Sequence, residues 1–134
     1  MSEEPASPVI MRSMLGRARG LGSAKSGTAT WWAERVTSLA LIPLTLWFVV
    51  AVLSLHGASR ADVMHWAANP ITATLLVALV LATFQHMQLG LQAVIEDYIH
   101  VEAVKTTSLL VMKAVVLLLG LACLISVLKL AFAG

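Results

Sequence analysis

Charge is what this chain has least of. Only 12% of its 134 residues are Asp, Glu, Lys or Arg, where a soluble domain carries about a quarter. The shortage is local: no charged residue occurs from Val36 to Leu55, and none from Val63 to Ile95. Hydrophobic residues make up 59% of the chain and gather in three long runs, the pattern of membrane spans rather than of a soluble core. Cysteine is equally scarce. The single Cys123, inside the third run, excludes an internal disulfide and a cysteine-held iron–sulfur cluster. Its apolar setting makes it a small packing side chain, not a reactive thiol. There is no glycine pattern for a dinucleotide. The run Gly22–Gly27 (GSAKSG) lacks the Gly-Lys-Ser/Thr ending and the preceding strand of a phosphate loop. The few basic residues near the N-terminus have no interleaved aromatics, which excludes nucleic-acid binding as a reading.

The composition predicts an all-α integral membrane protein with three transmembrane helices. Residues 1–30 read as a polar N-terminal segment, irregular unless a partner orders it, and residues 31–134 as the membrane anchor. The first span is expected over about 32–55. Its charge-free run is long enough to cross a core of about 30 Å at 1.5 Å per residue. Trp31 and Trp32 stand at its start, where indoles favour the interface. Pro43 falls inside it and removes one backbone hydrogen bond, which neighbouring helices can accommodate. The second span is expected over about 69–97, with Asn69 as cap and Pro70 in the first turn. The third is expected over about 106–132, with Lys113 close enough to the helix end to snorkel. The connections, His56 to Ala68 and Tyr98 to Lys105, read as short loops.

Lys and Arg set the orientation. Arg12, Arg17, Arg19, Lys25, Arg35, Lys105 and Lys113 fall on one side, and Arg60 and Lys129 on the other. The N-terminus is therefore expected in the cytoplasm or its organellar equivalent.

Within the second span, His86 is the exceptional residue. A titratable ring at mid-bilayer depth is costly and commonly has a partner or a function, and imidazole is the commonest metal ligand among side chains. Asp97 and Tyr98 follow eleven and twelve positions later, where the apolar run stops. Eleven residues return a helix almost to its starting direction, so His86 and Asp97 are expected on one face, roughly 16 Å apart along the axis. Ala82, Gly90 and Ala93 share that face and leave a shallow groove, suited to a flat macrocycle or to a closely packed helix. On composition and geometry alone, a hydrogen bond from His86 to a neighbouring helix and a ligand role stand about even. Tyr98 reads equally as an interfacial tyrosine or as a donor to a quinone carbonyl, and Asp97 as a helix-end charge or a proton relay.

The stretch from His86 through Tyr98 (HMQLGLQAVIEDY) resembles the signature of the small membrane-anchor subunit of succinate dehydrogenase, succinate:quinone oxidoreductase. In that family a second-helix His is followed eleven positions on by Asp-Tyr. GSAKSG, Trp31-Trp32 and Arg35-Val36-Thr37 are similar to its mitochondrial and alphaproteobacterial branch. The resemblance covers roughly residues 20 to 134. It implies that His86 is one axial ligand of haem b and that Tyr98 and Asp97 belong to a ubiquinone-reduction site at the cytoplasmic interface. It implies a location in the bacterial inner (plasma) membrane, or alternatively the mitochondrial inner membrane. Arg35 resembles an arginine near the haem propionates, a role that stands level with a plain positive-inside anchor.

If His86 binds haem, the second axial ligand must come from another polypeptide, because His56, His65 and His100 lie in or near the connections. The resemblance agrees, implying a heteromeric helix bundle with a second anchor subunit, on which an iron–sulfur subunit and a flavoprotein subunit dock. The chain itself carries no succinate-oxidising machinery and is a subunit rather than an enzyme alone. A fumarate reductase-type anchor and a non-redox three-helix scaffold are the competing expectations. The scaffold tolerates His86→Gln or Ala with only modest effects on assembly.

Overall fold

The computed structural model describes residues 14–15 and 27–132. Arg12, Arg17, Arg19, Lys25 and most of GSAKSG lie outside the described residues. Among those described, the chain forms four helices: α1 (Gly27–Ser54), α2 (Arg60–Ala68), α3 (Pro70–Tyr98) and α4 (Glu102–Phe132). Three of them are long and apolar enough to cross a membrane, with mean hydropathies of 2.3, 1.5 and 2.6. The all-α, three-span expectation holds, but α1 and α4 begin several residues earlier than expected. Apolarity marks the hydrocarbon core, whereas a helix satisfies its own backbone and continues through the interface. The Tyr98–Lys105 loop accordingly shrinks to Ile99–Val101, with Glu102 in the first turn of α4, where an acid complements the helix dipole.

The His56–Ala68 connection also differs from the expected loop, since most of it is α2. Ser59 and Asp62 form a capping box. The Asp62 N–H donates to Ser59 Oγ at 3.2 Å, and the Ser59 N–H returns a bond to Asp62 Oδ2 at 3.1 Å, which satisfies two otherwise orphaned donors. Gly57 takes a φ of +79° and reverses the chain between α1 and α2. At the far end of α2, Asn69 serves two helices. Its N–H donates to the Trp66 carbonyl, while its side-chain oxygen accepts from the Ile71 and Thr72 N–H groups, with Pro70 at the start of α3. The Ser59 hydroxyl bond, followed by the backbone bond, holds the Asp62 carboxyl below its ordinary range. A depressed acid contributes stability that is present above its ordinary pKa and is lost as pH falls through the lowered one. Ser59→Ala should cost the cap about 1 kcal/mol and raise amide exchange in α2. Asp62→Asn should flatten the acid dependence of that exchange, and an unchanged profile would show the box to be idle.

The spans run up, down and up, as short connections require. The central α3 packs on both α1 and α4, whose described backbones do not approach each other closely, and α2 lies against α3 and α4. Between α3 and α4 a close approach depends on Gly120. A Cβ there would come within 3.2 Å of Phe84 Cγ, so Gly120→Leu should separate the pair at a cost of about 1–3 kcal/mol. That loss would be read as a lower melting temperature of the assembled complex in detergent; an unchanged value would refute the close packing. Little else is enclosed. Among the described residues, Ala51, Ala67, Thr72, Leu76 and Val116 are the buried ones, and Leu39, Leu46 and Leu53, seven apart on α1, are 68%, 65% and 69% exposed. Apolar surface on this scale belongs against lipid or partner helices, not water.

Candidate functional site

His86 is half-buried on α3 and faces α1. Its Nδ1 lies 3.1 Å from Thr37 Oγ1 and 3.5 Å from Ser38 Oγ. Both hydroxyls belong to the first half of α1, and both bond back to their own helix. Thr37 Oγ1 is 2.8 Å from the Ala33 carbonyl and 3.0 Å from that of Glu34, and Ser38 Oγ is 2.7 Å from the Glu34 carbonyl. Back-bonding of this kind is how a helix absorbs hydroxyls where water is absent. The Thr37 contact sets the depth of the ring. It stands about 15 Å from the start of α1 and about 25 Å from its end at 1.5 Å per residue, in the half of the span nearer Trp31 and Trp32.

The other ring nitrogen, Nε2, makes no hydrogen bond to any described residue. One turn further along α3, a Cβ built on Gly90 meets nothing within 4 Å. The groove read from small residues around His86 is thus open at Gly90 rather than filled by a helix of this chain. With Nδ1 bonded to α1, the imidazole retains a second nitrogen that is chemically able to ligate a metal. Among the described residues no group of three or more His, Cys, Asp or Glu could hold a metal ion.

Arg35 lies one turn before Ser38. Its guanidinium sits over the Trp31 ring, 5.1 Å from the centroid, an attraction between a cation and the negative ring face. Trp31 in turn meets Trp32 edge-on at 5.0 Å. Trp31, Glu34, Arg35, Ser38 and Leu39 line one open cleft, and Ser38 is also the hydroxyl beside His86. Ser38 is thus the residue common to the Arg35 cleft and the His86 contact.

Asp97 and Tyr98 do not join this group. Both are exposed at the last turn of α3, Tyr98 by 79%. Antiparallel pairing supplies the reason. Counting eleven residues back from Thr37 arrives just ahead of Gly27, where α1 begins. Asp97 thus lies level with the first described residues of α1, and Ala93 is exposed on the same face of α3. Two centres result: an imidazole among helices and a carboxylate–phenol pair at the membrane edge. His56, His65 and His100 are all exposed. His65 lies on α2, and His100 Nδ1 is 3.2 Å from the Tyr98 carbonyl.

Ser38 and Glu34 were not among the residues singled out from the sequence, and Thr37 entered only within the Arg35-Val36-Thr37 resemblance, with no role of its own. Two adjacent hydroxyls early in a charge-free run were the available signal, but their partner lies 48 and 49 positions away, beyond the reach of a helical period.

Comparison with known proteins agrees with this architecture. The family described as succinate dehydrogenase/fumarate reductase transmembrane subunit matches residues 10–123. The chain is 32% identical over 103 residues to a succinate dehydrogenase hydrophobic membrane anchor subunit of Rickettsia bellii (strain RML369-C), covering 76% of this chain and 82% of that one. It is 33% identical over 81 residues to the subunit of the same name from Paracoccus denitrificans, covering 60% and 63% respectively. A succinate dehydrogenase membrane anchor subunit of Reclinomonas americana is 23% identical over 94 residues, covering 68% and 78%. No solved structure matches significantly. With three apolar spans and a family match over most of its length, the chain belongs to the succinate dehydrogenase/fumarate reductase transmembrane subunits, among the succinate dehydrogenase membrane anchors.

Proposed function

We propose that this chain shares the ligation of a haem b through His86 and helps to form a ubiquinone-reduction site with Tyr98 and Asp97. The observation that carries the first part is the half-buried imidazole, with Nδ1 held by two α1 hydroxyls and Nε2 bonded to none of the described residues. Haem, when bound, supplies one-electron redox chemistry. The residues of this chain supply one ligand, its orientation and a dry setting. Arg35, which lines a cleft with Ser38, supplies a cation of fixed sign suited to a propionate. The second ligand belongs to a second anchor subunit docked on the open flank.

At the membrane edge, the Tyr98 hydroxyl donates a hydrogen bond to a quinone carbonyl, and Asp97 next to it holds or passes the proton that carbonyl needs. Both groups are exposed in the isolated chain, as residues completed by partners would be. The iron–sulfur and flavoprotein subunits dock on this face, which we assign to the cytoplasm on the excess of Lys and Arg at the same end, in the bacterial inner membrane. The test is a reduced-minus-oxidised absorption spectrum of the purified assembled complex. Bands of b-type haem are expected. A complex that reduces quinone yet contains no haem would remove the ligand role and leave the Tyr98 role standing.

A further inference from the structure

We infer that Thr37, assisted by Ser38, is the positioning residue that fixes the tautomer and direction of His86, leaving Nε2 as the metal-facing nitrogen. The inference rests on the ligand reading of His86 and adds which nitrogen is used and what selects it.

The argument is one of proton accounting. A neutral imidazole carries one N–H and one lone pair, and the partner of one nitrogen decides the state of the other. Two hydroxyl oxygens face Nδ1, at 3.1 Å from Thr37 and 3.5 Å from Ser38. Each hydroxyl has a single proton. Shorter contacts already claim both protons, Thr37 toward the Ala33 carbonyl at 2.8 Å and Ser38 toward the Glu34 carbonyl at 2.7 Å. What remains pointing at Nδ1 is a pair of oxygen lone pairs. Nδ1 must therefore be the donor, and Nε2 carries the free lone pair.

The same contact fixes the plane and depth of the ring. An imidazole free to rotate about χ2 would meet a partner's ligand in many orientations. Anchoring at Nδ1 restricts it to one and makes the ring a stronger electron donor, the role that outer-shell hydrogen bonds play at metal-ligating histidines. β-Branching adds to this, because Thr37 holds few side-chain rotamers on a helix and its hydroxyl is committed to the preceding turn. Thr37 touches the ligand, not the iron, so its effect passes through His86.

The test compares Thr37→Val, which keeps the shape and removes the acceptor, with Thr37→Ser, which restores it, in the full assembled complex. Ser38→Ala serves as the weaker companion. Three readouts apply: haem content per complex, haem midpoint potential by redox titration, and the low-spin electron paramagnetic resonance signal. Thr37→Val should lower haem affinity roughly 10–100-fold, raise the midpoint potential and move the resonance positions. Thr37→Ser should return all three toward wild type, and Ser38→Ala should move them less. A role in helix packing alone would change the yield of complex without shifting the potential or the resonance of the haem that remains. Should Thr37→Val fail to assemble, Thr37→Cys offers similar bulk with a poor acceptor and should shift the potential the same way. Unchanged potential and resonance in the assembled variant would overturn the inference while His86 remained a ligand. Haem bands that survive His86→Ala unaltered would overturn both.

Discussion

His86→Ala is expected to abolish or shift the b-type haem bands of the assembled complex while the anchor still inserts in the membrane. The reason for separating these effects lies in what the substitution leaves behind. Removing the ring takes one acceptor contact from Thr37 and Ser38, but both hydroxyls keep their bonds to the Ala33 and Glu34 carbonyls. No polar group is stranded, so the cost to the helices should be near that of an ordinary hydrogen bond, about 1 kcal/mol. Loss of one of two axial ligands is a far larger change at the metal. His86→Gln sharpens the comparison. Its amide can still donate to Thr37, yet it offers iron no imidazole. A plain scaffold would accept Gln with modest consequences for assembly and none for the spectrum. Retention of wild-type bands in both variants would leave the chain as an anchor only.

Tyr98→Phe is expected to lower ubiquinone reduction by about 100-fold or more, the usual result of deleting one donor aimed at a developing negative oxygen, while haem content stays at the wild-type level. The geometry predicts that independence. Tyr98 is twelve residues from His86, about 18 Å along α3, and its side chain is 79% exposed in the chain alone, so losing its hydroxyl disturbs no packing around the imidazole. Asp97→Asn should also slow turnover, because an amide cannot hold or pass the proton that the quinone oxygen needs. Quinone reductase activity unchanged in Tyr98→Phe would mean that the phenol is an interfacial ornament of the helix end.

The sequence made some of this visible and hid the rest for identifiable reasons. The first two spans were legible because exclusion of charge over twenty or more residues has few other causes, and the third because its apolar run continues on both sides of Lys113. The start of α3 was legible because Asn69 and Pro70 carry local capping chemistry. Residue α2 positions were a different matter. The connection between His56 and Ala68 holds no long apolar run, and the run signal outweighed the capping box spelled by Ser59 and Asp62. His86, Asp97 and Tyr98 stood out because polar residues at the edge or middle of an apolar run are conspicuous. Thr37 and Ser38 did not, because hydroxyls are cheap in a helix that satisfies them itself, and only the packing of α1 on α3 reveals the ring they face. The exposure of Asp97 likewise needed the alignment of two helices, which periodicity along one of them does not contain.

Asn69 is the single residue between α2 and α3, capping the end of one and the start of the other. Connections ordinarily absorb gains and losses of chain length, but this joint has no slack to take them up. One residue added there would turn α2 by about 100° relative to α3 and swing Trp66 out of its stack on Trp47, where the two rings now lie 6.1 Å apart. The elbow therefore works as a key cut to one length, converting any insertion into rotation instead of a longer loop.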